Sequence, residues 1–264
     1  MQYKVSIKRK CYLLSVLLMT VWLTGCVQEE FESTPSPAGN GIRFTLTVPD
    51  VNLPSVSSRT MTGTGTAKKE DEIETVDILV FDMSKTPAVF LEWVSATGVT
   101  QDLADNSTVS FSAVLSPTTA STCIVVVANK ELDNIVSGFT KGATTKVEAM
   151  EKMLHTQTGK WLADGSTTDG YTRIPMYGEK VISKITPSMD PITGINMKRM
   201  LARIDIRNNS ATSNFTVEEV YLANYNTTGY IAPAWNTNGQ VTDPAPDTPV
   251  LPVNSGKMTE EGDA

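Results

Sequence analysis

Histidine, cysteine and basic charge are scarce in this sequence of 264 residues, and each shortage excludes a class of function. His155 is the single histidine, which excludes a zinc site made of several histidines and a His-dependent catalytic triad. Three cysteines are too few for a framework of several disulfides. A net charge of −7 argues against a protein that binds the phosphate backbone of nucleic acids. The composition therefore favours a non-enzyme, and we expect neither a cofactor nor a metal ion.

The N-terminus has the pattern of an export signal. Its apolar run, residues 11–22, has about 12 residues and is shorter than the roughly 20 that a membrane-spanning helix needs. The residues before that run carry four positive charges: Lys4, Lys8, Arg9 and Lys10. Together they predict a signal peptide over residues 1–25. The following Leu23-Thr24-Gly25-Cys26 resembles a bacterial lipobox, which implies cleavage before Cys26 and acylation of its thiol. The alternative is ordinary signal cleavage nearby, with Cys26 left as a free thiol.

Residues 26–40 read as a tether between the acylated cysteine and the folded body. Glutamates follow Cys26 closely, and then comes a stretch of proline, serine and glycine that is typical of a linker. The acidic residues resemble the surface-export signal of lipoproteins in Bacteroidota. A plain solvated linker explains them equally well.

The first strand is predicted at residues 42–48, where apolar and polar residues alternate strictly. Its four inward positions are Ile42, Phe44, Leu46 and Val48. Pro49 ends the strand, and the polar connection over 50–72, which contains Arg59, is long for a compact domain. A connection of that length points to function or disorder.

The rest of the chain predicts further strands and one helix. The strands are expected at 74–82, 89–94, 107–115, 122–128, 180–185, 195–207 and 215–225. The helix, over 144–155, has a capping-box pattern in Thr145 and Glu148. His155 is expected to be solvated at its end, and Cys123 to be a buried strand thiol that packs as a small hydrophobic group. The segment 164–170 lacks the acidic pattern of a calcium loop, so we expect a plain loop.

Short strands with turn signals and a single helix indicate a mostly β fold of the sandwich type. A polar, proline-containing stretch at 186–194 suggests a boundary between an N-terminal β-sandwich domain over 41–188 and a second domain over 189–264. From about residue 233 onward, repeated prolines interrupt the strand pattern. We therefore expect the second domain to be incomplete.

Four features occur together in a fixed order. They are the lipobox, the first strand with its arginine-containing loop before EIETVDILVFD, the strand CIVVVANK, and RIPMYGE followed by MKRMLARIDI. This order, over roughly residues 1–232, resembles the lipoprotein fimbrial subunits of Bacteroidota, the FimA-like type V pilins and their FimB-like relatives.

The resemblance implies tandem transthyretin-like β-sandwich domains in a subunit that reaches the outer membrane as a lipoprotein, through lipid on Cys26. It also implies that an arginine-specific surface protease cuts between Arg59 and Thr60, so that the anchor leaves together with strand 42–48. The vacated groove would accept a strand from a neighbouring subunit. The implied partners are thus other fimbrial subunits, the outer membrane and the protease, and the implied location is the outer membrane and then the cell surface or fimbrium.

Elementary physics supports such an exchange, because removing an alternating strand exposes an apolar groove and unpaired backbone groups that template another strand.

Alternatives remain open. One alternative is that Arg59 is only a solvated loop charge. Another is that the chain is a membrane-retained anchor or cap that keeps its lipid. A surface lipoprotein that binds host protein or glycan through aromatic side chains is a further alternative; the candidates are Trp161, Tyr171, Tyr230 and Trp235. Paired acid catalysis by Asp77 and Asp82 is the weakest alternative, because strand-end acids usually serve solubility.

Overall fold

A computed structural model gives the fold. The structure describes residues 42–48, 71–101, 108–156, 173–201, 218, 225–242, 251–252 and 257–258. The predictions for the signal peptide, the tether, the loop at 164–170 and the strand at 215–225 fall outside these ranges, apart from single residues of the last. The same is true of the second half of the strand predicted at 195–207.

Strands account for most of the described secondary structure, which confirms the mostly β fold. In chain order the elements are β1 (Ile42–Thr47), β2 (Val76–Asp82), β3 (Val89–Ser95), β4 (Thr97–Gln101), β5 (Thr108–Ala113), β6 (Thr122–Ala128), α1 (Asp133–Val136), α2 (Lys146–Lys152), β7 (Leu154–Thr156), β8 (Met176–Ile182), β9 (Ile192–Asn196), β10 (Lys198–Arg199), β11 (Tyr225–Asn226), β12 (Thr228–Tyr230) and β13 (Lys257–Met258). Within the described residues, neither helix has the length and apolar character needed to cross a membrane.

Two sheets face each other. Sheet A has the strand order β4-β5-β1-β9, and sheet B has the order β10-β8-β6-β2-β3. Neighbours in both sheets run antiparallel, except β1 and β9, which run parallel. Two short ladders, β7 with β12 and β11 with β13, complete the pairing among the described strands.

The inner core lies between the two sheets. It takes alternate side chains of β1 and β5 from sheet A, and alternate side chains of β2 and β6 from sheet B. This is the sandwich arrangement that the strand alternation predicts.

A second core covers the outer face of sheet B. The other side chains of β2 and β6 pack there against Leu132, Ala149, Met150 and Ile231. Burial on both faces explains why β2 and β6 read as nearly continuous apolar runs rather than alternating ones.

Helix α2 begins as the sequence predicts and ends earlier. Thr145 and Glu148 form the reciprocal capping box, with the Thr145 hydroxyl accepting from the Glu148 N–H. The helix stops at Lys152, because the following residues extend into β7 and pair with β12. His155 thus lies in a strand and is half-buried, rather than solvated at a helix end.

The segment predicted as one long strand from residue 195 is divided between the sheets. β9 pairs with β1 in sheet A, and β10 pairs with β8 in sheet B, with the buried Met197 between them. The backbone approaches β8 closely there, since a Cβ at Gly178 would lie 2.7 Å from the Met197 sulfur and 3.1 Å from the Asn196 carbonyl oxygen. Glycine is therefore required where β8 passes beneath the crossing.

Candidate functional site

Strand β1 lies inside sheet A, with a partner along each edge. It pairs antiparallel with β5 over its whole length, from Ile42 opposite Ala113 to Thr47 opposite Thr108. On the other edge it pairs parallel with β9, with a register shift where Gly194 adopts a positive φ of 70°. Strands β5 and β9 are not neighbours in the sheet, so β1 joins them.

The four apolar side chains predicted to face inward are all buried. Ile42, Phe44, Leu46 and Val48 are 5%, 1%, 0% and 1% exposed and belong to the inner core. The Phe44 ring stacks on Phe111 of β5, with ring centroids 5.0 Å apart and nearly parallel planes. Full burial of such side chains contributes roughly 1.5–3 kcal/mol each, so the sandwich depends strongly on this strand.

The space that β1 fills, here called the β1 groove, has apolar walls and polar edges. Val109 and Phe111 form one wall and Ile192 and Ile195 the other, above a floor from β2 and β6 of sheet B. Without β1, the facing backbone groups of β5 and β9 lose their ladder partners. An empty β1 groove is therefore unfavourable in water and shaped to receive an extended apolar strand.

Side-chain contacts hold the segment over residues 71–75, which leads into β2. Arg173 forms ion pairs with Glu72 and Glu74, at 3.1 and 2.7 Å, and Arg199 pairs with Asp71. The Asn129 amide donates to the Glu72 carbonyl at 2.8 Å and accepts from the Glu74 N–H at 3.0 Å. Residues 71–75 are thus attached to the body independently of β1.

Of the predicted site residues, those of the first strand lie in the described part of the chain, and those for lipidation and processing do not. Of the residues predicted to form a displaced strand, Ile42, Phe44 and Leu46 lie in β1 and Val48 directly follows its last residue. Cys26, Arg59 and Thr60, predicted for lipidation and processing, lie outside the described residues, and those assignments stay predictions.

Cys123, Asp77 and Asp82, the candidates for a nucleophile or for acid catalysis, lie in different environments. Cys123 is fully buried on the outer face of sheet B, and this burial raises the pKa of its thiol to about 11. Asp77 and Asp82 lie at opposite ends of β2. Burial raises the pKa of Asp77, and hydrogen bonds from Ser84 lower the pKa of Asp82. The two carboxylates do not form a pair.

Two of the four aromatic residues weighed for glycan binding lie in the described ranges, and both pack within the protein. Tyr230 and Trp235 contact each other edge to face, with centroids 4.9 Å apart, and Trp235 packs against the outer core. Packing accounts for both rings. Among the described residues, no group of three or more histidine, cysteine, aspartate or glutamate side chains is placed to hold a metal ion.

A polar cluster that no sequence pattern predicts lies on the outer face of sheet B. Lys146, 1% exposed, lies with its Nζ 2.6 Å from Glu179 Oε2, and the Tyr177 hydroxyl donates to the same oxygen at 2.5 Å. A lysine in the first turn of an amphipathic helix normally reaches solvent. Its partner is 33 residues away in sequence, so no local pattern reveals the pair.

The sequence matches one known protein family over most of its length. Residues 32–262 match the model of a family described as fimbrillin-A associated anchor proteins Mfa1 and Mfa2. No curated protein matches the chain significantly.

Three solved structures resemble the fold at low identity. A fimbrial assembly protein from Parabacteroides distasonis is 12% identical with a TM-score of 0.40, and the match covers 78% of this chain and 72% of that one. A protein of the same species, described as a cell adhesion protein, is 17% identical with a TM-score of 0.45, and the match covers 84% of this chain and 65% of that one. A protein from Bacteroides ovatus, described as an adhesin, is 14% identical with a TM-score of 0.29, and the match covers 60% of this chain and 46% of that one. The chain spans less than two thirds of the second and third proteins.

Proposed function

The chain belongs to the family of fimbrillin-A associated anchor proteins Mfa1 and Mfa2, and we propose that it is the accessory subunit that ties a surface fimbria to the outer membrane. In this proposal Cys26 is acylated, the lipid stays on the mature protein, and the body contacts other fimbrial subunits. The role is structural rather than catalytic.

The observation that carries the anchoring role is the position of β1. It begins sixteen residues after Cys26, so the tether leads directly into the middle of sheet A. Tension between fibre and membrane then acts on a strand that is paired on both edges and held by the buried side chains of Ile42, Phe44 and Leu46, with Val48 buried directly after it. An anchor needs such a firm attachment, whereas a tether that ended in an edge strand would peel away more easily.

A second candidate is a polymerising subunit that is cut between Arg59 and Thr60, and the attachment of residues 71–75 favours it. After cleavage within the loop, β1 is held only by noncovalent contacts, while the chain from Asp71 onward keeps its own ion pairs. The anchor could then depart with β1, and a strand from a neighbouring subunit would fill the β1 groove. Whether β1 stays or leaves separates the two candidates.

N-terminal sequencing and intact mass of the protein recovered from the cell surface decide between them. The anchoring role predicts a chain that begins at an acylated Cys26 and retains β1. A chain that begins at Thr60 would refute that role and establish the processed subunit.

Two variants make the experiment sharper. Cys26→Ala is expected to lose the protein from the membrane fraction. Arg59→Ala is expected to change the mass only by the substituted side chain and to leave the location unchanged. Arg43→Ala is the matched control, because Arg43 lies in β1 itself. If Arg59→Ala lengthened the surface form while Arg43→Ala did not, proteolytic processing at Arg59 would replace the anchoring proposal.

A further inference from the structure

The buried polar cluster on the outer face of sheet B joins three separate segments of the chain. Lys146 comes from the first turn of α2, and Tyr177 and Glu179 come from β8. The segment over residues 231–242, here called the covering segment, packs on the outer core and supplies the Val241 N–H, which donates to Glu179 Oε1 at 3.4 Å. Gly239 packs so tightly over Lys146 that a Cβ there would lie 3.3 Å from the lysine Cβ. The close cover explains why the ammonium group is shielded from water.

The ammonium group of Lys146 is poorly satisfied as an ion. It has three N–H groups, and Glu179 Oε2 is its one oxygen partner within the described part of the chain. The Cys123 thiol also interacts with the Lys146 side chain, but a thiol is a weak hydrogen-bonding group. The Lys146 side chain is 1% exposed and that of Glu179 20%. Burying a charge with incomplete hydrogen bonding is costly, so a reaction that removes both charges is favoured at this place.

We propose that Lys146 and Glu179 condense into a side-chain amide that covalently links α2 to β8. One ammonium proton first passes to Oε2, and the freed Nζ lone pair then attacks the Glu179 carboxyl carbon. An N–C bond forms, and the bond from that carbon to Oε2 breaks. The ammonium group supplies two protons to the departing Oε2, which leaves as water, and keeps one on the amide nitrogen. Nothing is oxidised or reduced.

The surrounding groups are placed to assist each part of this step. The Tyr177 O–H lies 2.5 Å from Oε2, the oxygen that must gain protons and leave. The Val241 N–H points at Oε1, the oxygen that stays and carries negative charge in the tetrahedral intermediate. Tyr177 and the backbone donor thus take the roles of proton relay and oxyanion donor around a nucleophile already in contact with the carboxyl group.

The amide would close a covalent loop from α2 to β8 and fix the outer layer onto sheet B. Its formation does not depend on whether the chain anchors a fibre or polymerises. A covalent link across layers limits how far pulling can separate them, which suits a surface protein under tension.

Intact mass and peptide mapping of the purified full-length chain test the proposal. The expected mass is lower than that of the unmodified polypeptide by one water molecule. Trypsin is expected to leave the bond after Lys146 uncut and to release a branched peptide that contains Lys146 and Glu179. A full mass, with free Lys146 cleaved normally, would mean that the residues form an ordinary ion pair and would overturn the proposal.

Variants exclude other sources of water loss, such as cyclisation at an aspartate. Lys146→Arg keeps a cation beside Glu179 but has no amine to acylate, so it is expected to restore the full mass. Lys141→Arg is the control in an exposed lysine, and it should retain the loss. Persistence of the loss in Lys146→Arg would refute the assignment, and the branched peptide from the unaltered chain decides the matter if that variant does not fold.

Discussion

At the scale of single residues, Gly178 sets how closely the two sheets approach at the β8 crossing. An alanine Cβ there would meet the Met197 sulfur at 2.7 Å, an Ile195 methyl carbon at 2.8 Å and a backbone oxygen at 3.1 Å. Overpacking of this kind costs about 1–3 kcal/mol, so Gly178→Ala is expected to lower the free energy of unfolding by that amount in a denaturant titration. Gly138→Ala is the control, because its nearest neighbour would be 3.6 Å away. Equal midpoints for the two variants would contradict the close approach.

Asp77 predicts a second residue-scale effect, a pH dependence of stability. Burial raises its pKa above the ordinary 3.8, although Ser95 donates to it at 2.7 Å. The folded state therefore binds a proton more readily than the unfolded chain. Stability from this site is complete below pH 3.8 and is lost as pH rises through the folded pKa. Asp77→Asn is expected to remove the loss, so the variant gains stability relative to the parent between acidic and neutral pH.

Asp82 supplies the comparison of opposite sign. The Ser84 side chain and its N–H, at 2.8 Å, lower the pKa of Asp82 below 3.8. Its contribution to stability is present above that pH and is lost as pH falls through the folded pKa. Asp82→Asn should thus lose stability relative to the parent at neutral pH. Parallel pH profiles for Asp77→Asn and Asp82→Asn would show that these environments are assigned wrongly.

At the scale of elements, β1 is the strand on which the inner core depends. Phe44 is buried and stacked on Phe111, and replacing a buried phenylalanine by alanine costs about 3–5 kcal/mol. Phe44→Ala is expected to show this loss in equilibrium unfolding. Thr47→Ala, on the exposed face of the same strand, is expected to stay within about 0.5 kcal/mol of the parent. Similar losses in both variants would mean that β1 is not seated as described.

The elements that could be predicted are those whose local pattern reflects one constant environment. β1 alternates because one face is always buried, and β6 is apolar throughout because both faces are. The segment around Met197 reads as one strand because either sheet demands a β pattern, and nothing local marks the change of sheet. Lys146 was unpredictable for a similar reason, since a carboxylate on a distant strand permits its burial. Contacts with residues distant in sequence determine the sheet that a strand joins and the burial of a lysine, and local periodicity does not reveal them.

At the scale of the whole molecule, the predicted boundary at 186–194 divides segments that pack together. β9 begins within that stretch and pairs with β1, and β12 pairs with β7. Ile231 lies in the outer core, and its N–H donates to the Met153 carbonyl at 3.0 Å. The number of domains stays a prediction, but residues on both sides of the boundary share sheet A and the outer core. A destabilising substitution after the boundary is therefore expected to destabilise the packing of residues before it as well.

The Cys123 thiol offers a direct measurement of that coupling, because it is fully buried in the same outer core as Ile231. Ile231→Ala is expected to cost about 2–4 kcal/mol. If opening of the outer core governs access to the thiol, labelling of the Cys123 peptide should become roughly 30- to 900-fold faster. Leu251→Ala, at a side chain 44% exposed, is the control and should label at the parental rate. An unchanged rate in Ile231→Ala would mean that the covering segment opens without disturbing β6, and that the two parts of the chain are energetically separate despite their contact.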